Sequence, residues 1–358
     1  MVQNTQLAQS YWPRSGYDQR NRSHVPFPGA EYGKIIRRVS LPSSQDGRKV
    51  TLRGGCVMTD TMILRVEYDN SLSAISIDGK ILWSVRLRDA ENKRPQHCSL
   101  PVALEDGACL VALSDSICVY DANGHRVFQE QIFLPDDSGC APNITKAGQI
   151  LYSSINGEIW CVDSMGVREV GCFGYDVLPP AIYPDNSLAI AGYYGDGFCR
   201  VSLDGQMVWK TEFKEADMLP TINQDNIAAV GSKNDKKSAF FSPNGTLLGT
   251  YARASVFAEY SPDSWIARSD KWVAKLTVDG SECWTHSLRD DTNLGHCQPI
   301  VDSEGRIYLL DDGKLLCLTG EGEIVFSTDV HGSSWGGLSC VSPGKMAYVG
   351  AGMLQIIE

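Results

Sequence analysis

The stretch Ala74-Ile-Ser-Ile-Asp-Gly-Lys-Ile-Leu-Trp83 contains a short β-rich run, an Asp-Gly turn and a second run that ends in a tryptophan. Asp-Gly favours a hairpin because both residues tolerate the positive φ angles that tight turns require. The same order of features recurs in Asp204–Trp209 and in Asp279–Trp284. The stretch is therefore one copy of a repeated hairpin.

Four weaker copies extend the repeat along the chain. Two of them replace the tryptophan with phenylalanine, and two keep the turn but lose the aromatic residue. In chain order they are Asn123-Gly124 with Phe128, Met165-Gly166 with Val170, Asn244-Gly245 with Gly249, and Glu321-Gly322 with Phe326. The turn glycines of all the copies lie 35 to 45 residues apart, a period typical of propellers and other repeat folds.

The strand pattern within each copy predicts a propeller blade. Short β-rich runs separated by Asp-Gly and Asn-Gly turns indicate antiparallel strands, and four such strands make one blade. Long helical periodicity is missing, which argues against a helical solenoid of the same period. Lead-in segments recur near residues 50, 97, 139, 177, 217, 254, 295 and 334. We therefore predict an all-β, closed eight-bladed β-propeller, with seven blades as the alternative.

The N-terminal segment supplies the strand that the eighth repeat unit lacks. The eighth unit ends at Glu358, where its turn and fourth strand should follow, and Tyr32-Gly-Lys-Ile-Ile36 overlays Asp78-Gly-Lys-Ile-Leu82. We expect this N-terminal strand to complete the last blade and so to remove an exposed sheet edge. The predicted organisation is a leader, residues 1–30, packed on a single β-propeller domain, residues 31–358.

The repeat resembles that of a known family. Ala74–Trp83 is similar to the consensus of the pyrroloquinoline-quinone-type, or quinoprotein-like, β-propeller repeat proteins, which combines a small residue, an Asp or Asn, a Gly-Lys turn and a docking tryptophan. The leader segment Tyr11–Asp18 resembles the Trp-Pro opening that often precedes such propellers. The resemblance covers nearly the whole chain and implies the fold. It implies function far less, because the family includes quinone-dependent dehydrogenases, outer-membrane assembly lipoproteins and uncharacterised proteins.

The resemblance also raises the question of a quinone cofactor. The dehydrogenases of this family are usually much longer, are exported, and use adjacent cysteines with a calcium site. The 12 cysteines of this chain include no adjacent pair and no Cys-x-x-Cys. We therefore expect no cofactor and no metal.

Charge and hydropathy narrow the possible partners. The formal net charge of −11 would repel the phosphates of nucleic acid, so nucleic acid is not an expected partner. The N-terminal residues lack the apolar core of a secretory signal, and no apolar run is long enough to span a membrane. These features predict a soluble cytoplasmic protein with reduced thiols.

Several cysteines occupy repeat positions at which other units carry alanine. These residues precede a turn glycine by five or six positions, and they are Cys118, Cys161, Cys199 and Cys317, against Ala74, Ala239 and Ala274. Because unpaired cysteine is often fully buried, we expect these four to be small residues packed between neighbouring sheets.

Candidate site residues lie on the lead-in segments, because the loop before each innermost strand rims one mouth of the central channel. Two of the 6 histidines precede a cysteine at the same place in two units. The candidate catalytic residues are His97, Cys98, Asp176, Asp217, His296 and Cys297, and the candidate ligand-binding residues are Arg53, Tyr175 and Trp335.

The chemistry of these residue types suggests a pocket. Histidine suits proton transfer near neutral pH, cysteine suits nucleophilic attack, and aspartate can orient a histidine or hold a cationic group. We expect the pocket to be metal-free, because the two His-Cys pairs lie three blades apart and cannot easily share one ion. A structural alternative is that the histidines bond loop carbonyls while the cysteines pack inward.

Two classes of function remain open at this point. A binding module would present loops and a central funnel to a protein or small-molecule partner. A non-redox enzyme, namely a lyase, cyclase or hydrolase, would act on a small metabolite in the same funnel. The sequence contains no Gly-x-Ser-x-Gly, no His-Glu-x-x-His and no phosphate-binding glycine loop that would demand catalysis.

The assignment to a reducing compartment predicts that most of the 12 thiols are free. After unfolding without reductant, titration with a thiol reagent should count most cysteines as reactive. Three or more disulfides in carefully prepared protein would contradict both the compartment and the burial of these cysteines.

Overall fold

A computed structural model describes residues 6–10, 12–41, 56–66, 71–87, 99–113, 116–132, 142–154, 156–175, 177–192, 197–213, 215–289, 298–331, 337–350 and 352–358. These residues form eight four-stranded antiparallel sheets arranged in a ring, with almost no helix. The prediction of an eight-bladed propeller is confirmed, and the seven-bladed alternative is wrong.

The first half of the ring consists of blades 1 to 4, with the strands of each blade numbered from the axis outwards. Blade 1 contains β2 (Val57–Met58), β3 (Met62–Val66), β4 (Ser71–Ser76) and β5 (Ile81–Arg86). Blade 2 contains β6 (Val102–Ala103), β7 (Cys109–Ala112), β8 (Ser116–Tyr120) and β9 (Arg126–Gln131), with a 3-10 turn at Glu105–Gly107. Blade 3 contains β10 (Asn143–Ile144), β11 (Ile150–Ser153), β12 (Glu158–Asp163) and β13 (Gly166–Cys172). Blade 4 contains β14 (Ala181–Ile182), β15 (Leu188–Ile190), β16 (Cys199–Val201) and β17 (Met207–Lys210).

Blades 5 to 8 complete the ring. Blade 5 contains β18 (Thr221–Ile222), β19 (Ala228–Ser232), β20 (Lys237–Phe241) and β21 (Leu247–Tyr251). Blade 6 contains β22 (Val256–Ser261), β23 (Ser264–Arg268), β24 (Trp272–Thr277) and β25 (Glu282–Ser287). Blade 7 contains β26 (Ile300–Val301), β27 (Ile307–Asp311), β28 (Lys314–Leu318) and β29 (Ile324–Asp329). Blade 8 contains β30 (Gly337–Ser342), β31 (Lys345–Gly350), β32 (Met353–Ile357) and, from the other end of the chain, β1 (Ile35–Ser40).

Burial within a blade follows from its place between two neighbours. The middle strands are buried on both faces, as in β3 and β7, and consist of nearly continuous apolar residues. The outermost strands alternate between exposed and half-buried residues, as in β5 and β29. The core is therefore a series of apolar layers between adjacent blades rather than one central mass.

The last blade is closed by the N-terminal strand. Strand β1 pairs antiparallel with β32, and Val39 lies opposite Leu354 in the register. Backbone hydrogen bonds at both ends of the pair extend it, from Lys34 N to the Glu358 carbonyl at 2.9 Å and from Leu41 N to the Gly352 carbonyl at 2.8 Å. The predicted completion of blade 8 by the N-terminal strand is confirmed.

The tryptophans of the repeat join blades 1, 4 and 6 to the blade that follows each of them. The indole nitrogens of Trp83, Trp209 and Trp284 donate to the carbonyls of Ala122, Pro243 and Gly320 at 2.8, 3.0 and 2.8 Å. Each of these acceptors lies two residues before the turn glycine of the following blade.

The turn glycine that follows each acceptor must lack a side chain. A Cβ atom on Gly124 would lie 2.8 Å from the Trp83 ring, and one on Gly322 would lie 2.9 Å from the Trp284 ring. Both glycines also have positive φ. The turn glycine and the aromatic residue recur at a fixed spacing because the aromatic ring of one blade packs on the turn glycine of the next blade.

Blade 3 departs from the sequence alignment. In blade 1 Ala74 pairs with Trp83, whereas in blade 3 Cys161 pairs with Arg168 across a turn that is two residues shorter. Arg168, not Val170, therefore stands where the tryptophan does, and its Nη1 donates to the Leu203 carbonyl of blade 4 at 2.6 Å. Alignment on Gly166 gave the wrong equivalent because the length of the turn is not visible in the spacing.

Blade 5 replaces the missing aromatic residue differently. Gly249 pairs with Phe240 of the adjacent strand, and the turn of blade 6 packs directly on the Gly249 backbone. A Cβ on Gly249 would lie 1.8 Å from the Asp279 carbonyl oxygen, and one on Gly280 would lie 2.5 Å from the Phe240 ring. Phe240 thus supplies from the third strand the ring that other blades carry on the fourth.

The expected burial of the repeat cysteines is confirmed for all four, since each is fully inaccessible to solvent. Their grouping as one position is wrong, however. Cys317 pairs with the aromatic Phe326, whereas in blade 2 Val119 pairs with Phe128 and Cys118 comes one residue earlier. Successive strand residues point to opposite faces, so these two cysteines face different neighbouring blades.

The direct packing at Gly249 predicts a large effect of a single methyl group. Gly249→Ala should destabilise the protein by about 3 kcal/mol, because the new Cβ meets backbone that cannot rotate away. Gly344→Ala is the control, since its positive φ is strained but nothing lies within 4 Å of the added atom, and it should cost about 1 kcal/mol. Chemical denaturation of both variants gives the comparison, and equal losses would contradict the contact.

Candidate functional site

The innermost strands of the eight blades surround the central channel. We call the end of the channel at which these strands begin the upper mouth, and the end at which they finish the lower mouth. Among the described residues, Tyr175 and Asp217 precede the innermost strands of blades 4 and 5 and therefore lie towards the upper mouth. The described leader, residues 6–10 and 12–30, bonds to the ends of innermost strands and lies at the lower mouth.

The leader bonds to every blade of the ring. Its carbonyls accept from the backbone N–H groups of innermost strands on both sides of the channel, as from Met58 to Trp12 at 2.7 Å and from Glu259 to Arg22 at 2.9 Å. The bonds in blade order are Met58 N to Trp12 O, Ala103 N to Pro13 O, Asn143 Nδ2 to Gln19 O, Ile182 N to Gln19 O, Ile222 N to Arg20 O, Glu259 N to Arg22 O, Val301 N to Ser23 O and Gly344 N to Pro28 O. The leader therefore lies across the lower mouth as a strap.

A buried carboxylate holds the end of the leader on blade 7. Asp302 is 1% exposed, and its Oδ2 accepts from Gly29 N at 2.8 Å. The Tyr308 hydroxyl lies 2.9 Å from both Asp302 Oδ2 and the Ala30 carbonyl oxygen. Burial raises the pKa of Tyr308, so this hydroxyl stays protonated and can donate. The anchor fixes the chain directly before it becomes β1.

An ion-pair network fixes the turn of the leader. Asp18 accepts from the backbone N–H groups of Arg20 and Arg22 and pairs with the Arg22 guanidinium. Arg22 Nη1 also lies 3.1 Å from Glu259, which is buried in blade 6. Burial opposes the charge of Arg22, but Asp18 and Glu259 outweigh it and raise its pKa. Both carboxylates therefore form ion pairs with Arg22.

A second arginine of the leader lies deeper and has different partners. Arg14 is 1% exposed, and its Nη1 donates to the Asp18 carbonyl at 2.5 Å and to Asn21 Oδ1 at 2.6 Å. Its Nε is buried and has no acceptor among the described residues. Burial lowers the pKa of Arg14 to about 10, against the weaker opposing effect of Asp18. The side chain therefore remains charged at neutral pH.

Asn21 and Gln298 cross the channel beside this arginine. Asn21 Nδ2 donates to the Pro220 carbonyl at 2.9 Å, and Gln298 Nε2 donates to the Phe257 carbonyl at 2.8 Å. Gln298 Nε2 also lies 3.2 Å from the Asn21 carbonyl oxygen. Sequence reasoning missed Arg14, Asn21 and Gln298 as site residues. The available signal was the concentration of charged residues between Arg14 and Arg22.

Most of the site residues predicted from the sequence lie outside the described residues. These are Arg53, His97, Cys98, Asp176, His296, Cys297 and Trp335. Tyr175 and Asp217 are described, and they precede the innermost strands of blades 4 and 5, which are neighbours at the upper mouth. Tyr175 is 47% exposed, while Asp217 is half-buried and its Oδ1 accepts from Lys233 N at 2.8 Å. Burial raises the pKa of Asp217.

No model of a known protein family matches the sequence, and no curated protein matches it. Solved structures do match. BamB from Moraxella catarrhalis superimposes with a TM-score of 0.65 at 16% identity, over 91% of this chain and 97% of BamB. Quinohemoprotein alcohol dehydrogenase from Comamonas testosteroni gives 0.72 at 11% identity, over 97% of this chain and 80% of the dehydrogenase. Virginiamycin B lyase from Staphylococcus aureus gives 0.54 at 13% identity, over 90% and 98%.

The chain has the quinoprotein-like β-propeller fold. This fold was expected from the repeat around Trp83, and the superpositions confirm it. At these identities the likeness is one of fold alone, because unrelated functions share this propeller architecture.

The residues of this quinoprotein-like propeller do not fit the cofactor site that the resemblance implies. That site uses two adjacent cysteines, and the sequence has none. Within the described ranges, no group of three or more histidine, cysteine or acidic residues is placed to hold a metal ion. Those same ranges contain no helix that is both long and apolar enough to cross a membrane.

The raised pKa of Asp217 predicts a pH-dependent effect of neutralising it. A carboxyl whose pKa is higher in the folded state favours folding while it is protonated, and this advantage is lost as pH rises through the folded pKa. Asp217→Asn keeps the acceptor for Lys233 N, so the melting temperature of the variant relative to wild type should increase from pH 3.5 to pH 7.5. Glu212→Gln, an exposed carboxylate nearby, should show no such trend, and a decrease for Asp217→Asn would contradict the burial argument.

Proposed function

We propose that this quinoprotein-like propeller is a binding module that receives a small molecule, or a segment of a partner protein, in its channel from the upper mouth. The observation that carries the proposal is the leader strap, which bonds to all eight blades and covers the lower mouth. We call the part of the channel above this strap the cup, and we propose it as the binding cavity because proteins bind ligands in concave, pre-formed sites.

The strap also makes the cup rigid. It is held by the Asp302 anchor and by the ion pairs of Arg22 with Asp18 and Glu259. A site that is already ordered loses little conformational entropy when a ligand binds, which improves affinity.

The chemistry at the upper mouth supports binding there. Tyr175 offers an exposed aromatic ring with a hydroxyl group, and Asp217 is an acid whose burial raises its pKa. A carboxyl kept where folding disfavours its charge is a candidate functional group. The remaining predicted residues, Arg53, His97, Cys98, Asp176, His296, Cys297 and Trp335, are proposed to line the same mouth, with no metal and no cofactor.

The cysteines and the net charge suggest the compartment and the partners. The nine described cysteines form no disulfide with one another, and seven of them are buried. We propose a cytoplasmic protein that works with a small-molecule or protein partner and not with nucleic acid, because its net charge is −11. A non-redox enzyme acting on a small metabolite is the second candidate, which the raised pKa of Asp217 favours because acid–base catalysis needs such a group.

The proposal is tested with a panel of amino acids, nucleotides, sugars and carboxylates in a thermal-shift screen. Compounds that raise the melting temperature of wild type are then titrated calorimetrically against Tyr175→Ala, Asp217→Asn and the double variant His97→Ala/His296→Ala. We expect at least a tenfold loss of affinity in these variants. Tyr175→Ala and the histidine double variant should keep the wild-type melting temperature, and Asp217→Asn should melt no lower than wild type at neutral pH.

The control is His125→Ala, because His125 is an exposed histidine in a turn on the lower face of blade 2. This variant should bind like wild type. If all three upper-mouth variants keep full affinity for every hit, the upper mouth is not the binding site. Turnover of a hit would favour the enzyme over the binding module.

A further inference from the structure

We infer that Arg14 forms an anion-binding subsite at the floor of the cup, for the carboxylate or phosphate group of a ligand that enters from the upper mouth. The inference rests on the proposed function, because that mouth is the proposed route to the subsite. It adds the chemical class of the ligand.

The position of Arg14 follows from the bonds on either side of it. Pro13 is tied to Ala103 of blade 2, while the side chain of Asn21, which Arg14 contacts, reaches Pro220 at the start of the innermost strand of blade 5. These blades stand on different sides of the ring. The Arg14 guanidinium therefore lies inside the channel, between innermost strands, and not on the outer surface of the leader.

Among the described residues, one edge of the guanidinium has hydrogen-bond acceptors and the other has none. Both N–H groups of Nη1 are used, by the Asp18 carbonyl oxygen and by Asn21 Oδ1. Nε is buried and lacks an acceptor in the described part of the chain. The edge that carries Nε and Nη2 is the one that arginine uses to bind a carboxylate or phosphate through two parallel hydrogen bonds. The occupied edge holds this binding edge in a fixed orientation.

The charges around Arg14 point the same way. A buried charge is costly unless an opposite charge compensates it. In the same leader Arg22 pairs with two carboxylates, Asp18 and Glu259. Arg14 contacts only the backbone carbonyl of Asp18, and burial lowers the pKa of Arg14 more than the charge of Asp18 raises it. No ion pair of Arg14 occurs within the described ranges. The carboxylate of Asp18 therefore pairs with Arg22 and not with Arg14. The positive charge of Arg14 remains in the channel, where the anionic group of a ligand would neutralise it.

The first test is the melting temperature of the full chain in inorganic phosphate, in succinate and in chloride at equal ionic strength. For wild type we expect a saturable rise of at least about 2 °C over chloride with one of the two anions, because a ligand that binds only the folded state stabilises it. The stronger of the two anions identifies phosphate or carboxylate as the preferred group. No rise with either anion would overturn the inference.

Variants then assign the effect to Arg14. Arg14→Met should abolish the anion-dependent rise, and Arg14→Lys should weaken it severalfold, because an ammonium group cannot bind an anion through two parallel bonds. The matched control is Arg20→Met, since Arg20 belongs to the same leader but bonds the Asn223 carbonyl at the lower face, and it should keep the full rise. A rise that persists in Arg14→Met would show a general salt effect and overturn the inference.

A purely structural role for Arg14 gives a different pattern. In that case Arg14→Met lowers the melting temperature in chloride, and wild type shows no anion effect. Calorimetric titration of wild type with the preferred anion provides a readout that needs no variant, and we expect one site per chain. If Arg14→Met loses the anion effect while Asp217→Asn and His97→Ala/His296→Ala keep it, the subsite stands and the proposed role of the upper-mouth residues fails.

Discussion

The pairing of β1 with β32 is the interaction on which the rest of the structure depends. Blades of a propeller are held mainly by apolar layers between neighbours, and a layer is lost wherever the ring is open. Because β1 comes from one end of the chain and β32 from the other, this pair joins the first and last blades through backbone hydrogen bonds. The pair also determines the path of the leader, because the residues directly before β1 must reach blade 8. Asp302 of blade 7 binds these residues through Gly29 N just before the chain enters β1.

The repeat tolerates variation because the contact between blades can be made in several ways. Trp83 and Trp284 bond a backbone carbonyl of the next blade through the indole nitrogen, and Arg168 makes the same kind of bond with its guanidinium. Blade 5 has no side chain at this place, and Phe240 fills the space from the neighbouring strand. What these blades share is a filled volume against the turn of the next blade, while the residue type and the hydrogen bond to a carbonyl vary. This explains why the repeat is so degenerate in sequence.

The leader combines a structural and an electrostatic role in one short segment. Its backbone bonds to all eight blades at the lower mouth. Its side chains separate charges, because Asp18 and Glu259 pair with Arg22, whereas the described hydrogen-bond acceptors of Arg14 are neutral oxygen atoms. A buried pair such as that of Arg22 is consistent with fixing the chain in one conformation. A buried arginine that hydrogen-bonds no carboxylate among the described residues needs another explanation, and the proposed anionic ligand supplies one.

The sequence by itself determined the propeller fold and the closure by the N-terminal strand, because turn glycines and strand periodicity are local signals that repeat along the chain. It favoured eight blades over seven, and the structure decided for eight. The sequence also identified four of the seven buried cysteines in the described ranges, although not the faces they occupy, since one residue of register reverses the direction of a side chain. Only the tertiary structure decided that Arg168 replaces a tryptophan, because the length of a turn changes the pairing without changing the pattern. Only the tertiary structure showed the strap and the environment of Arg14. The physical reason is that Gln298 lies far from Arg14 and Asn21 in the sequence, and the three residues come together only when the ring closes.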